Sequence, residues 1–117
     1  PWPTILSAQP THGEPGSTTI RRDADGPWRV RIFSKSGSYV SESRVHDIRV
    51  VGMDLQFKHD HMLGSEISAT YEVTTSLSMN GNTLRLAYTP MPLTARQETL
   101  AKGWPPFSPY MLEYMKQ

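Results

Sequence analysis

The sequence contains no cysteine, which excludes disulfide frames, thiol nucleophiles and thiolate metal sites. Either redox environment tolerates such a chain, so the compartment stays open and a processed periplasmic or secreted protein remains among the expectations. An excess of one charge is also missing. Twelve Lys and Arg face eleven Asp and Glu, for a net charge of +1. With the arginines scattered, nucleic acid and anionic membrane are not expected as main partners. No apolar run approaches the ~18 residues of a membrane helix, and the N-terminus lacks the basic region and apolar stretch of a signal peptide, so the expectation is a soluble molecule. At 117 residues the chain suits one domain, with a core burying roughly two thirds of its unfolded surface.

What is present is period-two alternation. Ile67, Ala69, Tyr71, Val73, Thr75, Leu77 and Met79 alternate with polar residues up to Asn80-Gly81, and Leu84, Leu86 and Tyr88 follow. Asn-Gly between alternating segments predicts a hairpin with a type I′ turn, whose central residues both need positive φ. The register that results pairs Leu77 with Leu84, Thr75 with Leu86 and Val73 with Tyr88 on one face. Ser76, Thr74 and Glu72 then meet Arg85, Ala87 and Thr89 on the other, and a one-residue slip would expose the whole apolar set.

Further strand signals cover Thr18 to Arg22, Trp28 to Ser34, Ser38 to Glu42, Arg44 to Val51 and Met53 to His59, separated by turn residues at Asp25-Gly26-Pro27, Ser36-Gly37 and Gly52. The spacing predicts an all-β fold: an antiparallel meander closing into a small barrel or rolled sheet of about 6–8 strands. Residues 1–16 hold four of the ten prolines and are expected as an extended arm outside a single domain of residues 17–117. Thr94 and Gln97 form a capping box and Gly103 is placed to stop a helix over Thr94 to Lys102. Ser108-Pro109 repeats the start signal, which predicts a further helical turn or two over Tyr110 to Lys116. Together 94–116 are expected as a helical lid.

A turn centred on Gly52-Met53 fits type II′ and pairs Val50 with Leu55 and Ile48 with Phe57. Continued outward, this register sets His46 opposite His59, with His61 two residues further on the same face. His46, His59 and His61 are therefore the candidate catalytic residues, as proton donors or acceptors near neutral pH. With Glu66 they are also the candidate ligands of a divalent metal. Tyr71 and Glu72 are supporting candidates, Glu72 the weaker because the hairpin register turns it to the polar face.

Gly26-Pro27-Trp28 at the start of a strand resembles the Gly-x-Trp signature of lipocalins. The resemblance implies a reduced barrel holding a small hydrophobic molecule, with Trp28, Phe57, Tyr71 and Tyr88 as ligand-binding residues and Val30, Ile32, Ile48, Val50, Leu55, Val73 and Leu86 completing the lining. Gly52, His59, His61 and Glu66 resemble part of the first cupin motif, which implies metal chemistry, although no later histidine completes the set. Pro1 is similar to the N-terminal base of tautomerases, but that family alternates strands with helices and this chain does not. Three functional classes follow: a barrel that binds an apolar ligand, an isomerase, cyclase or metal enzyme working at the barrel mouth, and an interaction module or homodimer using a sheet edge or the Trp104 to Tyr110 segment.

Overall fold

The computed structural model describes residues 2–11, 16–22, 24, 26–33 and 44–117. Eight strands, β1 (Ile5–Pro10), β2 (Thr18–Arg22), β3 (Trp28–Ile32), β4 (Val45–Val51), β5 (Asp54–Leu63), β6 (Glu66–Leu77), β7 (Thr83–Pro90) and β8 (Tyr110–Lys116), form one antiparallel sheet. The helix α1 (Ala95–Leu100) lies in the β7–β8 connection. Strand order is β3-β2-β1-β8-β7-β6-β5-β4, and the sheet rolls until it nearly closes into a barrel, with β3 and β4 at the seam. The expected small all-β barrel is therefore present. The strand and turn expected at Ser38 to Glu42 and Ser36-Gly37 lie outside the described residues, as does Pro1.

Two expectations change. Residues 5–10 of the supposed arm are extended but belong to the sheet, with β1 paired to β2 on one side and to β8 on the other. The prolines permit this because they fall before β1 and at its last position, leaving ladder donors intact from Ile5 to Gln9. Leu6 and Ala8 point into the core while Ile5 stays exposed. The second change is at the C-terminus, where Tyr110–Lys116 is a strand rather than a helical turn. Leu112 and Tyr114 turn toward the core between Met111, Glu113 and Met115, a period of two. Lodged between β7 and β1, this segment satisfies its backbone on both sides, and that tertiary pairing overrides the local cap signal.

The β6–β7 register matches the expectation pair for pair, from Leu77 opposite Leu84 to Glu72 opposite Thr89. The turn differs. Gly81 alone of the central pair has positive φ, at 76°. The Gly81 N–H donates to the Ser78 carbonyl at 2.8 Å, while Asn80 Oδ1 accepts from Ser78 Oγ (2.7 Å) and from the Asn82 N–H (3.0 Å). Asn80 thus serves as a local acceptor instead of a left-handed residue, and the loop widens without shifting the register. On the outer face, Arg85 donates to Glu113 and Arg49 to Glu72, so Glu72 stands outside the barrel as expected.

A dense core fills the barrel. Leu55, Phe57, Val73, Leu84, Leu86, Tyr88 and Tyr114 are all at most 2 % exposed. Small eight-stranded barrels are commonly filled in this way by their own side chains. Val50, expected in the lining, is 49 % exposed at the β4 edge, and Ile67 is turned outward by an irregularity between His61 and Met62 in the β5–β6 ladder. Two predictions follow from the packing. Replacing the buried Thr75, whose hydroxyl has no partner among the described residues between Leu55 and Leu86, with valine is expected to raise unfolding free energy by about 1 kcal/mol in urea titrations. Tyr114→Ala is expected to cost about 3–5 kcal/mol in the same assay, and Met115→Ala far less.

Candidate functional site

The β4–β5 hairpin decides where the histidines go. Gly52 has φ 62° and Met53 does not share the positive region, as type II′ requires, and Val50 pairs with Leu55 as expected. Beyond Arg49 opposite Gln56, however, the register shifts, and His46 lands opposite Lys58 while Val45 takes the place opposite His59. Asp47 sits at this bulge with φ 55°, a left-handed conformation that Asp tolerates better than most residues. One extra residue in the strand reverses the side-chain faces. His46 therefore stands on the outer face, apart from His59 and His61.

There His46 Nε2 lies 3.0 Å from both Asp60 carboxylate oxygens, and Thr70 Oγ1 donates to the same carboxylate at 2.8 Å. His46 Nδ1 is 3.4 Å from Asp47, which also pairs with Lys58. Hydrogen bonding to Asp60, with smaller help from Asp47, raises the His46 pKa. Both ring nitrogens are engaged, so His46 acts as a clamp across β4, β5 and β6.

His59 and His61 point inward and join an aromatic cluster. His59 Nδ1 and the Tyr88 hydroxyl share a buried 2.8 Å hydrogen bond. The His61 ring lies 4.6 Å from that of Tyr71, and Tyr88 stacks on Tyr110 at 4.7 Å and 10°. Burial, reinforced by the adjacent His61, drives the His59 pKa down to about 4, and burial also lowers that of His61. Burial likewise raises the pKa values of Tyr71, Tyr88 and Tyr110. Near neutral pH the cluster is an uncharged hydrogen-bonded plug. Its best-placed base, His59, is bonded to a phenol and only 9 % exposed.

The candidate metal ligands do not converge. Glu66 is held by Arg96 through two hydrogen bonds of 2.9 and 2.8 Å, His46 is on the opposite face of the sheet, and among the described residues no three His, Asp or Glu side chains surround a common point. The expected ligand-binding set also divides. Phe57 and Tyr88 belong to the filled core, and Tyr71 joins it with one edge against Phe107. Trp28 starts β3 beside Arg22, whose guanidinium lies 5.8 Å from its ring centre, and shares a shallow surface pocket with Val45 and Ile48 of β4.

The open space lies outside the barrel wall. Residues 91–109 leave β7 and return as β8, and the helix within this crossover starts with the expected capping box: Thr94 Oγ1 accepts from the Gln97 N–H and Gln97 Oε1 accepts from the Thr94 N–H, each at 3.1 Å. Arg96 fastens the helix to Glu66, and the Met91 N–H donates to the Thr70 carbonyl at 2.9 Å. After the helix, Gly103 at φ 84° turns the chain into Trp104-Pro105-Pro106-Phe107. Residues 90–93, Glu98, Ala101 and residues 104–107 line an open surface groove of about 490 Å³. Phe107 connects it to the cluster, its ring 6.3 Å from Tyr71 and 6.4 Å from Trp104.

Within this pocket, the sequence points to the Trp104 to Tyr110 segment as a docking surface but not to the opposite wall. Pro90, Pro92, Leu93 and Glu98 carry no local signal that marks them as part of a site. Only the return of the chain along β8 brings the two walls together.

The opposed histidine environments give a signed prediction. His59 titrates at about 4 in the fold against an ordinary 6.5, so the unfolded chain binds the proton more readily and stability falls as pH drops from 6.5 toward 4, by up to about 3 kcal/mol from this group. His46 has the reverse sign: its contribution is present below its ordinary value and lost as pH rises through the elevated one. Urea midpoints measured from pH 7.5 to 4 are expected to fall less steeply on acidification in His59→Phe than in the parent; equal slopes contradict the assignment.

Comparison with protein-family models, curated proteins and solved structures finds no match to this chain.

Proposed function

We propose that the protein binds a small, largely apolar ligand in the pocket of the β7–β8 crossover, and that the barrel serves as a filled scaffold. The observation that carries this reading is the pocket itself. Its volume of about 490 Å³ lies within the ~300–1,000 Å³ of small-molecule sites, and its walls are proline, leucine, methionine and aromatic side chains with one charged group. The reading keeps the apolar ligand that the lipocalin resemblance implies but moves it from the barrel interior to the lid. Phe57, Val73, Leu86 and Tyr88 already fill the interior.

Anchoring also favours the site. The capping box, the Arg96–Glu66 pair and the Met91–Thr70 bond hold one wall against β6, and Phe107 packs the other against Tyr71. A wall fixed before binding loses little conformational entropy when a ligand arrives. Trp104, at 45 % exposure, offers a large indole surface to a guest.

The test uses the neutral fluorophore N-phenyl-1-naphthylamine, whose emission rises in apolar surroundings. Saturable enhancement is expected in the parent protein, with Trp104→Ala weakening binding roughly tenfold or more and leaving the urea midpoint unchanged. Enhancement that survives Trp104→Ala at the parent affinity contradicts the lid site.

A further inference from the structure

Among the ten residues that line the crossover pocket, nine carry no charge and the tenth is Glu98. Its backbone N–H is used in the helix, donating to the Thr94 carbonyl at 2.9 Å, and its side chain is exposed where it lines the pocket. The nearest arginine in sequence, Arg96, is committed in bidentate fashion to Glu66. The same pocket is lined by Trp104 and Phe107, whose rings meet nearly perpendicular at 82° and form two adjoining aromatic walls.

From this arrangement the geometry points to a specific ligand chemistry, and the inference rests on the crossover pocket being the binding site: the ligand is an organic ammonium ion, its cationic head held by Glu98 and the Trp104–Phe107 corner and its apolar substituents packed against Pro92, Leu93 and Pro105. Three physical effects favour this class. An ammonium group over an aromatic face is attracted by the ring quadrupole, most strongly by indole. A carboxylate at the edge of an apolar pocket interacts more strongly with a cation than it does in open water, because the wall removes part of the screening solvent. A neutral guest of the same shape gains nothing from the Glu98 charge, and an anion would meet direct repulsion. Glu98 in the first turn of a six-residue helix also complements the helix dipole, but that role does not discriminate between ligands.

The closing experiment compares two probes of nearly identical shape, phenyltrimethylammonium and uncharged tert-butylbenzene, by NMR titration of the parent protein and of Glu98→Gln. The parent is expected to bind the cation at least about tenfold more tightly than the isostere, and in Glu98→Gln the ratio is expected to fall below about threefold. Equal affinity for both probes in the parent overturns the ammonium assignment and leaves the apolar pocket standing. A cation preference that persists unchanged in Glu98→Gln overturns the role of the carboxylate. Binding of neither probe overturns the pocket reading and this inference with it.

Discussion

The structure depends on the pairing of its first strand with its last. β1 and β8 join the β1–β3 meander to the β4–β8 meander, so the first and last strands lie at the middle of the sheet and its outer strands, β3 and β4, come from mid-chain. Ala8 opposite Lys116 and Pro10 opposite Tyr114 set the junction, with Leu6, Ala8 and Tyr114 buried on its inner side. Without that junction, a three-stranded and a five-stranded sheet would each leave an apolar face in water. The same pairing explains the lid. β8 must return antiparallel beside β7, and residues 91–109 use far more chain than that return needs, so the surplus is available to build a wall.

Local departures from regular pairing then distribute the chemistry. The bulge at Asp47 sends His46 outward to Asp60, and the irregularity near Met62 turns Ile67 away from the core. Between these points His59 and His61 keep the inward alternation of Leu55 and Phe57 and become part of a buried uncharged cluster. Burial and the neighbouring imidazole keep His59 neutral over most of the pH range. The polar groups of the barrel end are thereby spent on packing, and a concave surface stays accessible in the β7–β8 connection next to them.

Much of this was legible in the residues themselves. Period-two alternation with Asn80-Gly81 and Gly52 set the β6–β7 pairs and the first β4–β5 pairs, and Thr94 with Gln97 marked the helix start. The rest failed for identifiable reasons. Asp47 tolerates a left-handed conformation, but a lone Asp within a strand signal does not mark a bulge, so the histidine register continued one residue too far. Pro1, Pro3 and Pro10 suggested an arm, because only Leu6 and Ala8 carry the inward alternation of β1. Ser108-Pro109 is a sound helix start in isolation, yet the free edges of β1 and β7 compete for the same segment and take it as a strand. The pocket needed all of these at once: residues 90–93 and 104–107 are neighbours only because β8 is a strand.

The proposed site lies in the β7–β8 connection and not within the barrel. Amide chemical-shift changes in an ¹H–¹⁵N correlation spectrum, followed as naphthalene, a neutral apolar probe, is added, separate the two locations. Saturable shifts are expected at residues 91–107, with the amides of Leu55, Val73 and Leu86 unmoved. Shifts centred on those interior residues, with residues 91–107 unaffected, would contradict the proposed site.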